Sequence, residues 1–168
     1  MITREHTDSA AASVATFSAC ERYRYMLTRV WERAGPRVMF LMLNPSTADE
    51  FRNDPTVERC ERRARALGFG AFRVCNLFAY RATDPKQMRA QSDPVGPLND
   101  RAILDGCDWA DTVVCAWGTH GAHRDRGPAV ETMLRARGET PLILGLSKAG
   151  HPKHPLYIGY AQQPYPWW

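Results

Sequence analysis

The sequence predicts an α/β fold: a three-layer α/β/α arrangement around a mainly parallel, four-stranded central sheet, with an antiparallel strand or hairpin on its N-terminal side. Three observations predict it. Four short apolar runs, at 38–43, 72–76, 112–117 and 141–144, end in or are followed by Asn or Gly. Segments with helical spacing and helical start and stop residues separate those runs. Strands that alternate with helices imply a parallel sheet covered on both faces.

Residues 1–18 are rich in Ser, Thr and Ala with little periodicity, and are expected to be loosely ordered. Residues 19–168 are expected to form one domain. Over 21–33 polar and apolar residues partly alternate, placing Tyr23, Tyr25 and Leu27 on one face of an edge strand or hairpin. Gly35-Pro36 closes it. The unbroken run Val38-Met-Phe-Leu-Met-Leu43 reads as a strand buried on both faces. A helix follows: Asp54 can cap it, Pro55 suits its first position and Gly68 its stop. Val57, Cys60, Ala64 and Leu67 form its apolar stripe, with Arg59, Arg62, Arg63 and Arg65 off it. The second strand covers 72–76. Residues 77–96 read as loop, with Pro85, Pro94 and Gly96. A helix over about 97–107, a strand at 112–117, a helix at 128–137 closed by Gly138, and a strand at 141–144 follow. From Ser147 onward the chain is rich in Pro, His and aromatic residues.

Composition narrows the function classes. With 44% hydrophobic and 24% charged residues in 168, the chain is an ordinary globular domain, not a disordered, collagen-like or coiled-coil one. No apolar run approaches the roughly 20 residues that span a bilayer. The N-terminus lacks a secretory apolar stretch. A cytoplasmic location, a monomer and no membrane partner are expected. The 22 basic residues exceed the 18 acidic ones by four, which permits a nucleic-acid partner without demanding one. Arginine, the better phosphate fork, dominates the basic set. The cysteines (Cys20, Cys60, Cys75, Cys107, Cys115) are odd in number, widely spaced and without C-x-x-C, which fits free thiols in a reducing compartment. Two H-x-x-H pairs, His120/His123 and His151/His154, lack a third ligand. No metal or cofactor is expected. Phosphate-binding and nucleophile-elbow motifs are absent.

In parallel sheets ligands bind at the carboxyl ends of the strands. Asn44, Asn76, the 117–120 segment and the 145–154 stretch should therefore gather at one edge. An Asn at a strand end can hold a water or a ligand amide, and Pro45 stiffens that turn. Asp49 and Glu50 are the nearest carboxylates and so candidate general bases. Asn76 offers both donor and acceptor to a base edge. Phe78 or Tyr80 can stack on a base. A His beside Lys153 in a Pro-stiffened loop is a candidate electrophile for a developing anion.

In this order, these segments resemble the uracil-DNA glycosylase superfamily. Leu41-Met-Leu-Asn-Pro45 resembles its water-positioning motif, and Asn76-Leu-Phe-Ala-Tyr-Arg-Ala82 the strand-end motif whose Asn reads an extruded base. Ala116-Trp-Gly-Thr-His120 resembles its Trp-Gly-Ser-His segment. Gly150-His-Pro-Lys-His-Pro-Leu156 resembles its His-Pro-Ser-Pro-Leu loop, which supplies a His for the leaving base and a Leu that fills the duplex gap. The likeness runs from about residue 37 to 157. The whole chain is similar to a bacterial and phage branch with Leu-Asn-Pro-Ser-Thr-Ala and His-Pro-Leu-Tyr signatures.

The resemblance implies a monofunctional glycosylase acting on double-stranded DNA, including phage DNA with modified bases. It assigns Asn44 and His154 to catalysis, Asn76, Phe78 and Ser46 to the base, and Thr119, His120, His151, Lys153, Leu156 and Tyr157 to DNA. Either Asp49, the nearby carboxylate, or another carboxylate assists catalysis, or the reaction is dissociative and needs little base. Three departures matter. Asn44 stands where the uracil-removing branch has Asp, so it orients water and cannot take a proton. Ser46-Thr47-Ala48 replaces a Tyr that excludes 5-substituted bases, so a larger 5-modified pyrimidine, such as glucosylated 5-hydroxymethylcytosine, becomes admissible, with antiphage defence as the role. An insertion makes His151 and His154 compete, and Pro155-Leu156 favours His154. No Lys is placed for an imine, so no lyase step is expected. The alternatives are a uracil or mismatch repair glycosylase, a non-catalytic binder of modified nucleic acid, and a nucleoside or nucleotide hydrolase.

Overall fold

The computed structural model describes residues 1–168. Its strands are β1 (Ile2–Thr7), β2 (Ala12–Phe17), β3 (Arg24–Val30), β4 (Arg37–Met42), β5 (Ala71–Asn76), β6 (Thr112–Cys115), β7 (Leu142–Ile143) and β8 (Tyr165–Pro166). Its helices are α1 (Pro55–Ala66), α2 (Pro85–Arg89), α3 (Asn99–Trp109) and α4 (Arg126–Ala136). All strands join one sheet in the order β1-β2-β3-β5-β4-β6-β7-β8. No helix is long and apolar enough to cross a membrane.

This corrects the expected mainly parallel, four-stranded sheet. The sheet has eight strands and is mixed, and most of its pairings are antiparallel. β1-β2, β2-β3, β3-β5 and β7-β8 pair antiparallel; β5-β4, β4-β6 and β6-β7 pair parallel. The expected edge strand, β3, lies inside the sheet between β2 and β5.

The expectation of a loose 1–18 segment also fails: β1 and β2 form a hairpin there. Asp8 makes its turn, with Oδ1 accepting from the amides of Ala10 and Ala11 at 2.8 and 3.0 Å. Every second residue of β1 is half-buried, but those residues are Ile2, Arg4 and His6. The Arg4 guanidinium lies 5.3 Å from the Phe17 ring centre, and the His6 ring 5.0 Å from that of Phe51. Polar side chains thus cover apolar ones, which hides the period from a hydropathy reading. β8 escaped notice because Pro166 reads as a strand breaker; on the sheet edge it is tolerated.

The centre obeys apolar patterning. On β4, Met39 and Leu41 face a core shared with Ile103 of α3 and Val130 and Leu134 of α4. Val38, Phe40 and Met42 face the other core, with Val57, Cys60 and Ala64 of α1. Burying each large side chain contributes about 1.5–3 kcal/mol. Asp54 caps α1, its Oδ1 accepting from the Val57 amide at 2.9 Å, and Pro55 opens the helix. Asp84-Pro85 starts the short α2 in the same way, inside the stretch expected to be loop.

The site is positioned by what leaves the strand ends. The Leu77 amide donates to Met42 O (2.8 Å) and the Gly118 amide to Pro152 O (2.8 Å), tying the segments after β5, β6 and β7 to one edge. Because β3 runs antiparallel to β5, its first residue lies at that same edge: the Arg24 amide donates to Ala79 O at 2.9 Å.

Candidate functional site

A cavity of about 460 Å³ opens at this edge. Of the twelve residues assigned from sequence, eight line it: Asn44, Ser46, Asn76, Thr119, His120, His154, Leu156 and Tyr157. Its apolar wall includes Met42, Val57, Val74 and Trp117.

Asn44 follows β4. Its Nδ2 donates to Ala82 O at 2.8 Å and to Pro45 O at 3.1 Å. Both amide hydrogens are spent, so Oδ1 is the group Asn44 can offer: an acceptor in fixed orientation. Ser46 Oγ shares a hydrogen bond with Thr83 Oγ1 at 3.1 Å, closing that side of the mouth. Asn76, at the end of β5, is 1% exposed, and its Nδ2 has no hydrogen-bond partner. Its backbone is held by Asn99, whose Nδ2 donates to Asn76 O (2.8 Å) and Leu77 O (2.9 Å). An unpartnered buried amide is costly, at about 1–3 kcal/mol, unless a ligand takes it.

His154 stands at the start of a one-turn 3-10 segment, Pro155–Tyr157. Its Nδ1 accepts from the Leu156 amide at 3.2 Å. In the neutral ring the proton is therefore on Nε2, which no protein group takes. Burial lowers the His154 pKa below its ordinary value, and nearby Asp54 only partly opposes that. The ring is neutral at pH 7 and presents an N–H. Gly118, at φ +76°, packs against it: a Cβ there would come within 3.3 Å of the His154 Cβ.

The segment beyond His154 has little regular structure, so guanidinium groups of α1 satisfy its carbonyls. Arg59 donates to Pro155 O (3.0 Å) and Ile158 O (2.7 Å). Arg63 donates to Ile158 O (3.1 Å), Gly159 O (3.1 Å) and Gln162 O (2.8 Å). Two of the arginines read as lying off the helix's apolar stripe thus serve the His loop. Tyr157 projects from that turn and is 91% exposed at the cavity mouth.

Four assigned residues lie elsewhere. Asp49 is the clearest correction. Its Oδ1 accepts from the amides of Phe51 (2.9 Å) and Arg52 (3.0 Å), making a loop turn away from the cavity. Phe78 is fully buried, 5.7 Å from the His123 ring, and is not a cavity wall. His151 and Lys153 hold the loop rather than the cavity: the His151 amide donates to Ser147 Oγ (3.1 Å) and the Lys153 amide to Gly145 O (2.9 Å). Glu50 is buried but also off the cavity.

Sequence reasoning missed two charged wall residues. Asp54, read only as a helix cap, is the cavity's carboxylate, with Oδ1 on the Val57 amide and Oδ2 on the Ala48 amide at 3.3 Å. Its place just after the Asn44 turn, as the cap of α1, was the available signal. Arg24 is 1% exposed and carried no signal, since an Arg in an alternating strand reads as solvent-facing. No group of three or more His, Cys, Asp or Glu is placed to hold a metal ion.

A family model described as a protein of unknown function (DUF1643) matches residues 24–156. The chain belongs to this family. The DUF1643 segment begins at Arg24 and ends at Leu156, so it contains every cavity residue except Tyr157 and leaves β1 and β2 outside. No curated protein and no solved structure matches the chain.

Proposed function

We propose that the protein is a monofunctional DNA glycosylase that flips a pyrimidine, with a 5-modified base favoured, into this cavity and hydrolyses its N-glycosidic bond. One observation carries the reading: a neutral His with its Nε2–H free and an Asn with its Oδ1 free line the same strand-edge cavity.

Such a pair suits a dissociative hydrolysis. As the bond lengthens, negative charge gathers on the departing base and the sugar becomes cationic. The His154 Nε2–H donates to the base, stabilising charge that exists only in the transition state. The Asn44 oxygen orients the water that adds to the sugar carbon. Asn44 cannot take the water's proton, which passes to solvent. The Asn76 Nδ2 donates to a carbonyl oxygen on the base edge. Met42, Val57, Val74 and Trp117 supply the apolar wall that Phe78 does not. Leu156, with Tyr157 beside it, fills the vacated stack. Products are a free base and an abasic site. Double-stranded DNA is the proposed partner, and removal of modified phage bases the proposed role.

The test is abasic-site formation, read by alkali cleavage, on duplexes carrying uracil, mismatched thymine, 5-hydroxymethylcytosine or its glucosylated form. Cleavage of at least one substrate, abolished in His154→Ala, is expected. DNA binding without cleavage of any would replace the enzyme by a binding module.

A further inference from the structure

Arg24 has no role in the chemistry above, yet it is the most unusual group in the cavity. It is 1% exposed and lines the wall. Its Nη1 donates to Ala48 O at 2.8 Å. Its Nε is buried without a partner, and no protein acceptor takes Nη2. No carboxylate lies within ion-pair distance; the cavity's Asp54, whose oxygens accept from the Ala48 and Val57 amides, acts on Arg24 only through its charge at longer range. A buried cation with one neutral acceptor is destabilising until something anionic meets it. Burial pulls the Arg24 pKa down to about 10, with the Asp54 charge opposing it in part, which still leaves the group charged at neutral pH.

Position decides what that anion is. Arg24 begins β3, and Gly118, against which His154 packs, follows β6. β5 and β4 lie between them in the sheet, three strand spacings or about 14 Å across the edge. A flipped nucleotide enters base first, and its phosphates stay at the mouth near Tyr157. Arg24 is too enclosed to meet them. The anion must belong to the base.

We infer that Arg24 forms a subsite for an oxyanion carried on the pyrimidine ring, so that the cavity selects bases with an acidic substituent over neutral ones of equal size. Nε and Nη2 donate to the substituent's oxygens, and Asn76 Nδ2 to a ring carbonyl. This inference rests on the cavity being a pyrimidine site, but not on turnover.

Calorimetry on the full chain with free bases separates the two. Uracil-5-carboxylate is compared with uracil-5-carboxamide, an isostere without the charge. The carboxylate is expected to bind about 10–100-fold tighter, the range of a charge-assisted bond in a buried site. Arg24→Met is expected to erase that preference, lowering carboxylate binding far more than carboxamide binding. Equal binding of the two probes to the wild-type protein overturns the subsite, even if Arg24→Met fails to fold. A carboxylate preference lost in Arg24→Met, without base release from any duplex, keeps the subsite and ends the glycosylase reading. Base release from neutral substrates without carboxylate preference does the opposite.

Discussion

β1 and β4 are both six residues long and belong to the same sheet, yet they share almost no physics. Five of the six β4 residues are buried, while β1 has none buried and alternates half-buried with exposed. β4 is held from both faces by apolar side chains; β1 is held by backbone pairing to β2 and by Arg4 and His6 lying over rings. The centre of the sheet sets where its strands end, and so where Asn44, Asn76 and Gly118 stand. The flank extends the sheet and contributes one buried group to the cavity, Arg24. On this division, changes at the strand ends alter chemistry, and changes on the flank, Arg24 apart, alter stability alone.

The largest effect is expected at His154. His154→Gln should lower base release by about 10²–10³, the loss typical of one transition-state donor, with duplex binding nearly unchanged. In the wild-type protein the rate should stay level as pH falls through about 6.5, the ordinary His value, because burial keeps the ring neutral to lower pH. Below that, a proton on Nδ1 opposes the Leu156 amide and the loop loosens. The stability linked to His154 has the same sign: it is full above the unfolded value and is lost as pH falls from there toward the lowered folded value. A rate that instead followed an unshifted imidazole would remove His154 from the role.

Asn44→Asp is the sharper test of the centre. It places a carboxylate oxygen where Nδ2 now donates to Ala82 O and Pro45 O. Two carbonyls lose their donor, at a cost of about 1–3 kcal/mol, read as a lower urea midpoint. Faster base release from this variant would show that the water wants a base after all. Next in size, the carboxylates separate by position. Asp54→Ala removes a helix cap, worth about 0.5–2 kcal/mol, and a charge beside His154; Asp49→Ala should leave base release within about twofold, because Asp49 turns a loop.

The same contrast explains what could be read in the sequence. The central strands and α1 were legible because apolar residues repeat at the spacing of each element. The cavity's two Asn residues and His154 were legible because each follows a strand at a turn marked by Pro or by a change to polar residues. The hairpin was not, since Arg4 and His6 do a hydrophobic residue's work under a polar name. Phe78 and Asp49 were misplaced for a related reason: proximity in sequence to a strand end does not say which side of the edge a side chain takes. Phe78 turned into the core and Asp49 into its own loop. Arg24 was invisible because its burial depends on Ala48 and Asp54, which only the fold brings to it.

The smallest expected effect tests the flank directly. Arg4 on β1 and Glu21, beyond β2, form an ion pair whose side chains are 40% and 42% exposed. Glu21 also sits at φ +56°, a left-handed conformation that Gly adopts without cost and other residues do not. Glu21→Ala loses the pair, worth about 0.2–1 kcal/mol when exposed, and keeps the backbone strain. Glu21→Gly loses the same pair but relieves that strain, so the Gly variant should unfold at a higher urea concentration than the Ala variant. Neither should move base release. A change in rate from either would mean that the flank couples to the cavity, and β3, which carries Arg24 and pairs with β2, is the strand through which that coupling would run.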